Sequence, residues 1–100
     1  MNKKVRLSEE EIKAIKETAE EIFGKKTKVY LFGSRADPNR KGGDIDLYIV
    51  PEDRSNLFDK ELQFLTKLKI KLGDQKIDVV IQEDENRSIE REARRTGIEL

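Results

Sequence analysis

Two apolar strand-like runs joined through a helix constrain this chain more than any other feature of its sequence. Ile45-Asp46-Leu47-Tyr48-Ile49-Val50, closed by Pro51, and Ile77-Asp78-Val79-Val80-Ile81 are rich in β-branched and aromatic residues, which marks them as strands. Between them, Leu57, Phe58, Leu62, Phe64, Leu65, Leu68 and Leu72 share one broad face when projected at ~100° per residue, so Ser55 to Leu72 reads as a helix. Ile70 falls off that face. A strand–helix–strand unit sets its two strands parallel, with a right-handed crossover.

The remaining segments fit around this unit. Ser8 and Glu11 form a capping box, with Leu7 and Ile12 placed as a hydrophobic staple. Ile12, Ile15, Ala19, Ile22 and Phe23 then recur at helical spacing, and Gly24 is a suitable stop. Val29-Tyr30-Leu31-Phe32 is a buried strand ending at Gly33, and the polar stretch from Ser34 to Gly43, with Pro38 and Asn39, is a loop. A last short helix is expected from near Arg87 to Arg95, stopping at Gly97. The order α-β-loop-β-α-β-α predicts an α/β (α+β) fold: a small mixed three-stranded sheet with flanking helices, in one domain spanning residues 1–100.

Composition removes several chemistries. The chain has neither cysteine nor histidine, so disulfides, thiolate zinc sites and histidine-based triads are excluded. Any metal must be held by oxygen ligands, which favours hard cations. Lys plus Arg and Asp plus Glu each number 21, and this zero formal net charge argues against a protein held on nucleic acid or an anionic membrane by bulk charge. No apolar run approaches the ~20 residues of a membrane span. With no secretory h-region after Met1, the expected location is the cytoplasm.

The chemistry gathers in two places. Residues two apart on a strand point the same way, so Asp44 and Asp46 share one face while Ile45, Leu47 and Ile49 turn toward the helices. Asp78 takes the equivalent face of the later strand, beside that pair if the two strands are neighbours. Three crowded carboxylates resist ionisation unless a cation joins them. Ahead of them, Gly33-Ser34-Arg35 combines a glycine open to close approach, a hydroxyl donor and a cation, which suits a phosphate. Singly these features are ordinary: Gly-Ser occurs in many turns, and Asp-x-Asp can be a solvated strand entry. Jointly they are the kit for phosphoryl or nucleotidyl transfer. Arg40 and Lys41 read equally as substrate contacts or as solvating charge, whereas Lys25, Lys26 and Lys28 read as solvated.

Leu31-Phe32-Gly33-Ser34-Arg35-Ala36, followed by Gly43-Asp44-Ile45-Asp46-Leu47 and a later Asp78, resembles the minimal nucleotidyltransferases of the polymerase-beta-like superfamily. The resemblance covers essentially the whole chain. It implies catalytic, metal-binding roles for Asp44, Asp46 and Asp78, with Gly33 and Ser34 gripping the terminal phosphates and Arg35, Arg40 and Lys41 as further nucleotide contacts. Magnesium, with manganese as the alternative, and ATP as the nucleoside triphosphate are implied with them. Many members carry Arg-Gly shortly after Gly-Ser-x-Ala; this chain has Asp37-Pro38 and then Arg40-Lys41-Gly42-Gly43.

Relatives that act on RNA or antibiotics carry further domains, whereas this sequence ends just after the palm. The expectation is therefore a separate small helical partner of the HEPN or substrate-binding type. In the toxin–antitoxin version the minimal enzyme adenylylates that partner, which would make this chain a protein adenylyltransferase and antitoxin. The competing reading is a non-catalytic module acting by occlusion, against which the intact acidic trio counts. A nucleic-acid binder is least favoured by the balanced charge. Ile70, Ile98 and Leu100 are apolar residues in polar surroundings, and grouped in space they would make a docking patch for a partner or a second copy.

Overall fold

The computed structural model describes residues 7–36, 43–73 and 75–100. Helix α1 spans Glu9–Phe23 and starts with the capping box: the Ser8 hydroxyl accepts from the Glu11 amide at 3.0 Å, and the Glu11 carboxylate accepts from the Ser8 amide at 2.9 Å. Strand β1, Lys28–Phe32, runs into a 3-10 turn over Gly33–Ala36. Strand β2, Ile45–Val50, helix α2, Leu57–Leu72, and strand β3, Ile77–Ile81, form the crossover unit, followed by helix α3, Ser88–Thr96, and strand β4, Ile98–Glu99.

The sheet order is β3-β2-β1-β4, with β2 and β3 parallel and both pairings of β1 antiparallel. The mixed sheet thus has one strand more than the sequence announces. Its fourth strand changes the reading of the C-terminal residues. Ile98 and Glu99 pair with Leu31 and Tyr30, the Leu100 amide donates to the Val29 carbonyl at 2.9 Å, and the Leu100 side chain is buried. Ile98 and Leu100 therefore complete the sheet and its core and do not join Ile70, which is fully on the surface, in a docking patch.

One face of the sheet carries the main core. Ile45, Leu47, Ile49, Leu31 and Val29 pack under Ile15, Ala19 and Phe23 of α1 and Phe64 and Leu68 of α2, with the Phe23 and Phe64 rings edge to face at 5.7 Å. Each fully buried aliphatic side chain in such a cluster contributes ~1.5–3 kcal/mol. The apolar face of α2 is narrower than its sequence suggests: Phe64 and Leu68 are fully buried, and Leu57, Leu65 and Leu72 pack partly against the core. Phe58 and Leu62 are left exposed, at 76% and 50%.

The other face is covered only in part. Phe32, Tyr48 and Ala93 form a second, small cluster where α3 lies across the sheet, bordered by Tyr30, Val50 and Val80.

Candidate active site

The in-register pairing of β2 with β3 sets Asp46 directly beside Asp78, and the antiparallel register with β1 sets Phe32 opposite Asp46. Because Ile45, Leu47 and Ile49 are consumed by the core, Asp46 must point to the open face. Burial, then the charges of Asp78 and Asp44, then a hydrogen bond with Asp78 push the Asp46 carboxyl above the ordinary aspartate range. Asp44 stands just before β2, about half exposed, with its carboxylate 3.7 Å from the Lys76 ammonium. Lys76, which no motif in the sequence singles out, also pulls weakly in the opposite direction on Asp46. The register was the signal for it: if Ile45 pairs with Ile77, the residues preceding each strand meet.

Gly33 is the next element of the site. It adopts φ +75°, a conformation that side chains rarely take, and a Cβ there would be driven into the Asp46 carboxylate. The turn that leaves β1 thus closes directly onto Asp46. The backbone of Ser34 and Arg35 belongs to the same turn. The side chains of those two residues, and the whole of Arg40 and Lys41, lie outside the described residues.

Among the described residues no three acidic side chains close into a ready-made metal cage. The donor set nevertheless fits magnesium, which is commonly held by one or two carboxylates and completes its octahedron with water and substrate phosphate. Asp46 and Asp78 offer hard oxygen donors whose mutual repulsion a cation would relieve, and Asp44 adjoins them.

At the opposite end of β2 and β3 lies a group with no warning in the hydropathy of its helix. Glu90 is fully buried, whereas its neighbour Ile89 is 37% exposed. Its carboxylate accepts from the Tyr48 hydroxyl at 2.9 Å, the Asp84 amide at 2.8 Å, the Glu83 amide at 3.1 Å and Arg87 at 3.4 Å. Burial raises the Glu90 carboxyl, but these donors more than offset it and hold it below the ordinary glutamate range. Burial and the Glu90 charge push the Tyr48 phenol up. A partial signal existed in the sequence, since Tyr30, Phe32, Tyr48, Val50 and Val80 make the Asp46 face of the sheet half apolar and in need of cover. Glu83 and Asp84, the acidic residues that follow β3, belong to this network and not to the neighbourhood of Asp46.

A family model described as Polymerase beta, Nucleotidyltransferase matches residues 10–100. No curated protein matches the chain.

Proposed function

The chain belongs to the polymerase-beta nucleotidyltransferases, and from that premise and the site geometry we propose that it transfers AMP from ATP to a hydroxyl acceptor, a tyrosine of a small helical partner protein of the HEPN type. One observation carries the reading. Asp46 and Asp78 are register partners on adjacent parallel strands, on the sheet face not taken by the main core, with the Gly33 turn closed against Asp46.

In this reading Asp46 and Asp78, with Asp44 adjoining, would hold a divalent cation. When bound, such an ion neutralises triphosphate charge and makes a nearby hydroxyl easier to deprotonate. The chain's own groups do the rest. The turn over Gly33–Ala36 presents backbone to the terminal phosphates, and the absence of a side chain at Gly33 lets that turn lie directly against the Asp46 carboxylate. The acceptor oxygen attacks the α-phosphorus, the bond from that phosphorus to the bridging oxygen breaks, and pyrophosphate leaves. Asp78, which is exposed, takes the proton released by the hydroxyl. Lys76 balances Asp44 and keeps the acidic group from being wholly uncompensated before nucleotide arrives.

Incubation of the protein with α-labelled ATP, magnesium and the protein that co-purifies with it tests the proposal. Label is expected on a tyrosine of the co-purifying protein, and the Asp46→Asn variant should leave it unlabelled. Stable capture of that protein without any label would overturn the transfer reading in favour of simple occlusion. ATP should also raise the melting temperature with magnesium and scarcely without it. Equal shifts in the two conditions would count against the cation.

A further inference from the structure

The transfer reading requires Asp46 and Asp78 to stay side by side, yet they stand on strands that no hairpin joins. The connection between β2 and β3 runs through the 16 residues of α2, so no tight turn fixes their spacing. A second constraint is present on the open face. Glu90 reaches β2 through the Tyr48 hydroxyl, and Tyr48 is two residues from Asp46 on the same face. Through the same carboxylate it holds the amides of Glu83 and Asp84, two and three residues past the end of β3, and the intervening Gln82 amide donates to the Ile49 carbonyl at 2.9 Å. One side chain on α3 therefore ties β2 to the segment that leaves the end of β3.

We propose that Glu90 is a positioning residue: by clamping β2 to the end of β3 it fixes the Asp46–Asp78 pair and so sets how tightly that pair takes a divalent cation. This rests on the metal-dependent reading above. A charge buried completely is costly unless every acceptor site is met. Here donors from β2, from the β3–α3 connection and from Arg87, which caps the start of α3, meet it together. An apolar residue at position 90 would cover Phe32 and Tyr48 equally well, but it could not tie a phenol and two backbone amides to one point. Glutamine would present an amide nitrogen where acceptors are needed, because both carboxylate oxygens receive donors.

Titration of the full chain with Mn²⁺ alone, followed by electron paramagnetic resonance, separates positioning from mere support of the fold. Glu90→Gln should weaken Mn²⁺ binding by ~3–10-fold, less than the ~10–100-fold lost when a group touching a metal ligand is changed. Tyr48→Phe, which removes only the hydroxyl, should weaken it in the same direction by a smaller factor. Leu65→Ala, half-buried on α2, lowers the melting temperature without touching either strand's clamp and should leave Mn²⁺ affinity at the wild-type value. Wild-type Mn²⁺ affinity in a folded Glu90→Gln would overturn the inference and leave the metal reading intact. Should Glu90→Gln not fold, wild-type affinity in Tyr48→Phe would overturn it equally. No Mn²⁺ binding by the wild-type chain would sink the metal reading, and this inference with it.

Discussion

The two faces of the sheet are built from the same strands on opposite principles. Toward α1 and α2, Ile45, Leu47 and Ile49 are each fully buried in one apolar cluster. Toward the open side, the intervening Asp46 has a carboxyl made harder to ionise by burial and by two other acids, and Tyr48 leans on a buried glutamate. The first face gains free energy from burying apolar surface. The second accepts crowding and desolvation of charge in order to hold carboxylates in a fixed place. Alternation along β2 delivers both, so one residue's shift in register would exchange core for site.

The largest effect should come from the open face and should leave the covered one untouched. Asp78→Asn preserves shape and removes basicity, and loss of a positioned base lowers rates by ~10²–10⁴. Transfer should fall by at least that order. Magnesium-dependent ATP binding, read by thermal shift, should weaken as well, because Asp78 is also half of the pair that would hold the cation. Asp46→Asn should lose both. Transfer retained in Asp78→Asn would show that another group takes the proton.

A comparable change on the covered face should do the reverse. Leu47→Ala removes a fully buried side chain from the centre of the main core and should cost ~2–5 kcal/mol, read by chemical denaturation. Any Leu47→Ala that remains folded should still bind ATP with magnesium. If it folds yet has lost that binding, the separation of the two faces is wrong.

The sequence is most informative where a period is long or a residue type has a single use. The capping box at Ser8 is legible from its residue types, the parallel unit from the crossover rule and the shared face of Asp46 and Asp78 from alternation, while the neighbouring of their two strands is seen in the sheet. What covers the open face does not follow, because periodicity tells which way a side chain points and not what it meets. In Ser88–Thr96 the only large apolar side chain is Ile89, yet hydrogen-bond satisfaction buries Glu90 instead. Two residues of β4 are too few to show a period, so Ile98 and Leu100 look like a loose apolar tail until β1 is seen to lack a neighbour on that side. Phe58 and Leu62 mislead in the opposite sense, since helical spacing cannot say how wide a stripe the sheet and α1 will cover.

A pair of glycines sharpens the comparison at intermediate cost. Gly33 and Gly73 both have positive φ, at +75° and +82°, so Ala at either position is strained by ~1–3 kcal/mol. A Cβ at Gly73 meets nothing within 4 Å, whereas one at Gly33 collides with the Asp46 carboxylate. Gly73→Ala should therefore lower the melting temperature and leave ATP binding intact. Gly33→Ala should lower it further and abolish magnesium-dependent ATP binding as well. Equal behaviour of the two variants would mean that the Gly33 turn does not bear on Asp46.

The smallest expected effect concerns the metal-free protein and pH. The Asp46 carboxyl is raised in the folded state, so folding is favoured relative to the unfolded chain while that group is protonated. That contribution is complete below the ordinary aspartate range and is lost as pH rises through the raised value. At neutral pH the metal-free site is therefore a mild burden on the fold. Asp46→Asn should stabilise the metal-free protein at pH 7 by ~0.2–1 kcal/mol, the range of partly solvated charge interactions, while abolishing ATP binding. Glu90 has the opposite sign. Its carboxyl is lowered, so its contribution is complete above the ordinary glutamate range and is lost as pH falls through the lowered value. Melting curves of wild type and Asp46→Asn between neutral and acid pH, without divalent cation, should therefore converge as Asp46 becomes protonated. Glu90→Gln should lie below both at neutral pH and approach them only at the acid end. Asp46→Asn less stable than wild type at pH 7 would show that the carboxylate supports the fold and that the open face carries no such burden.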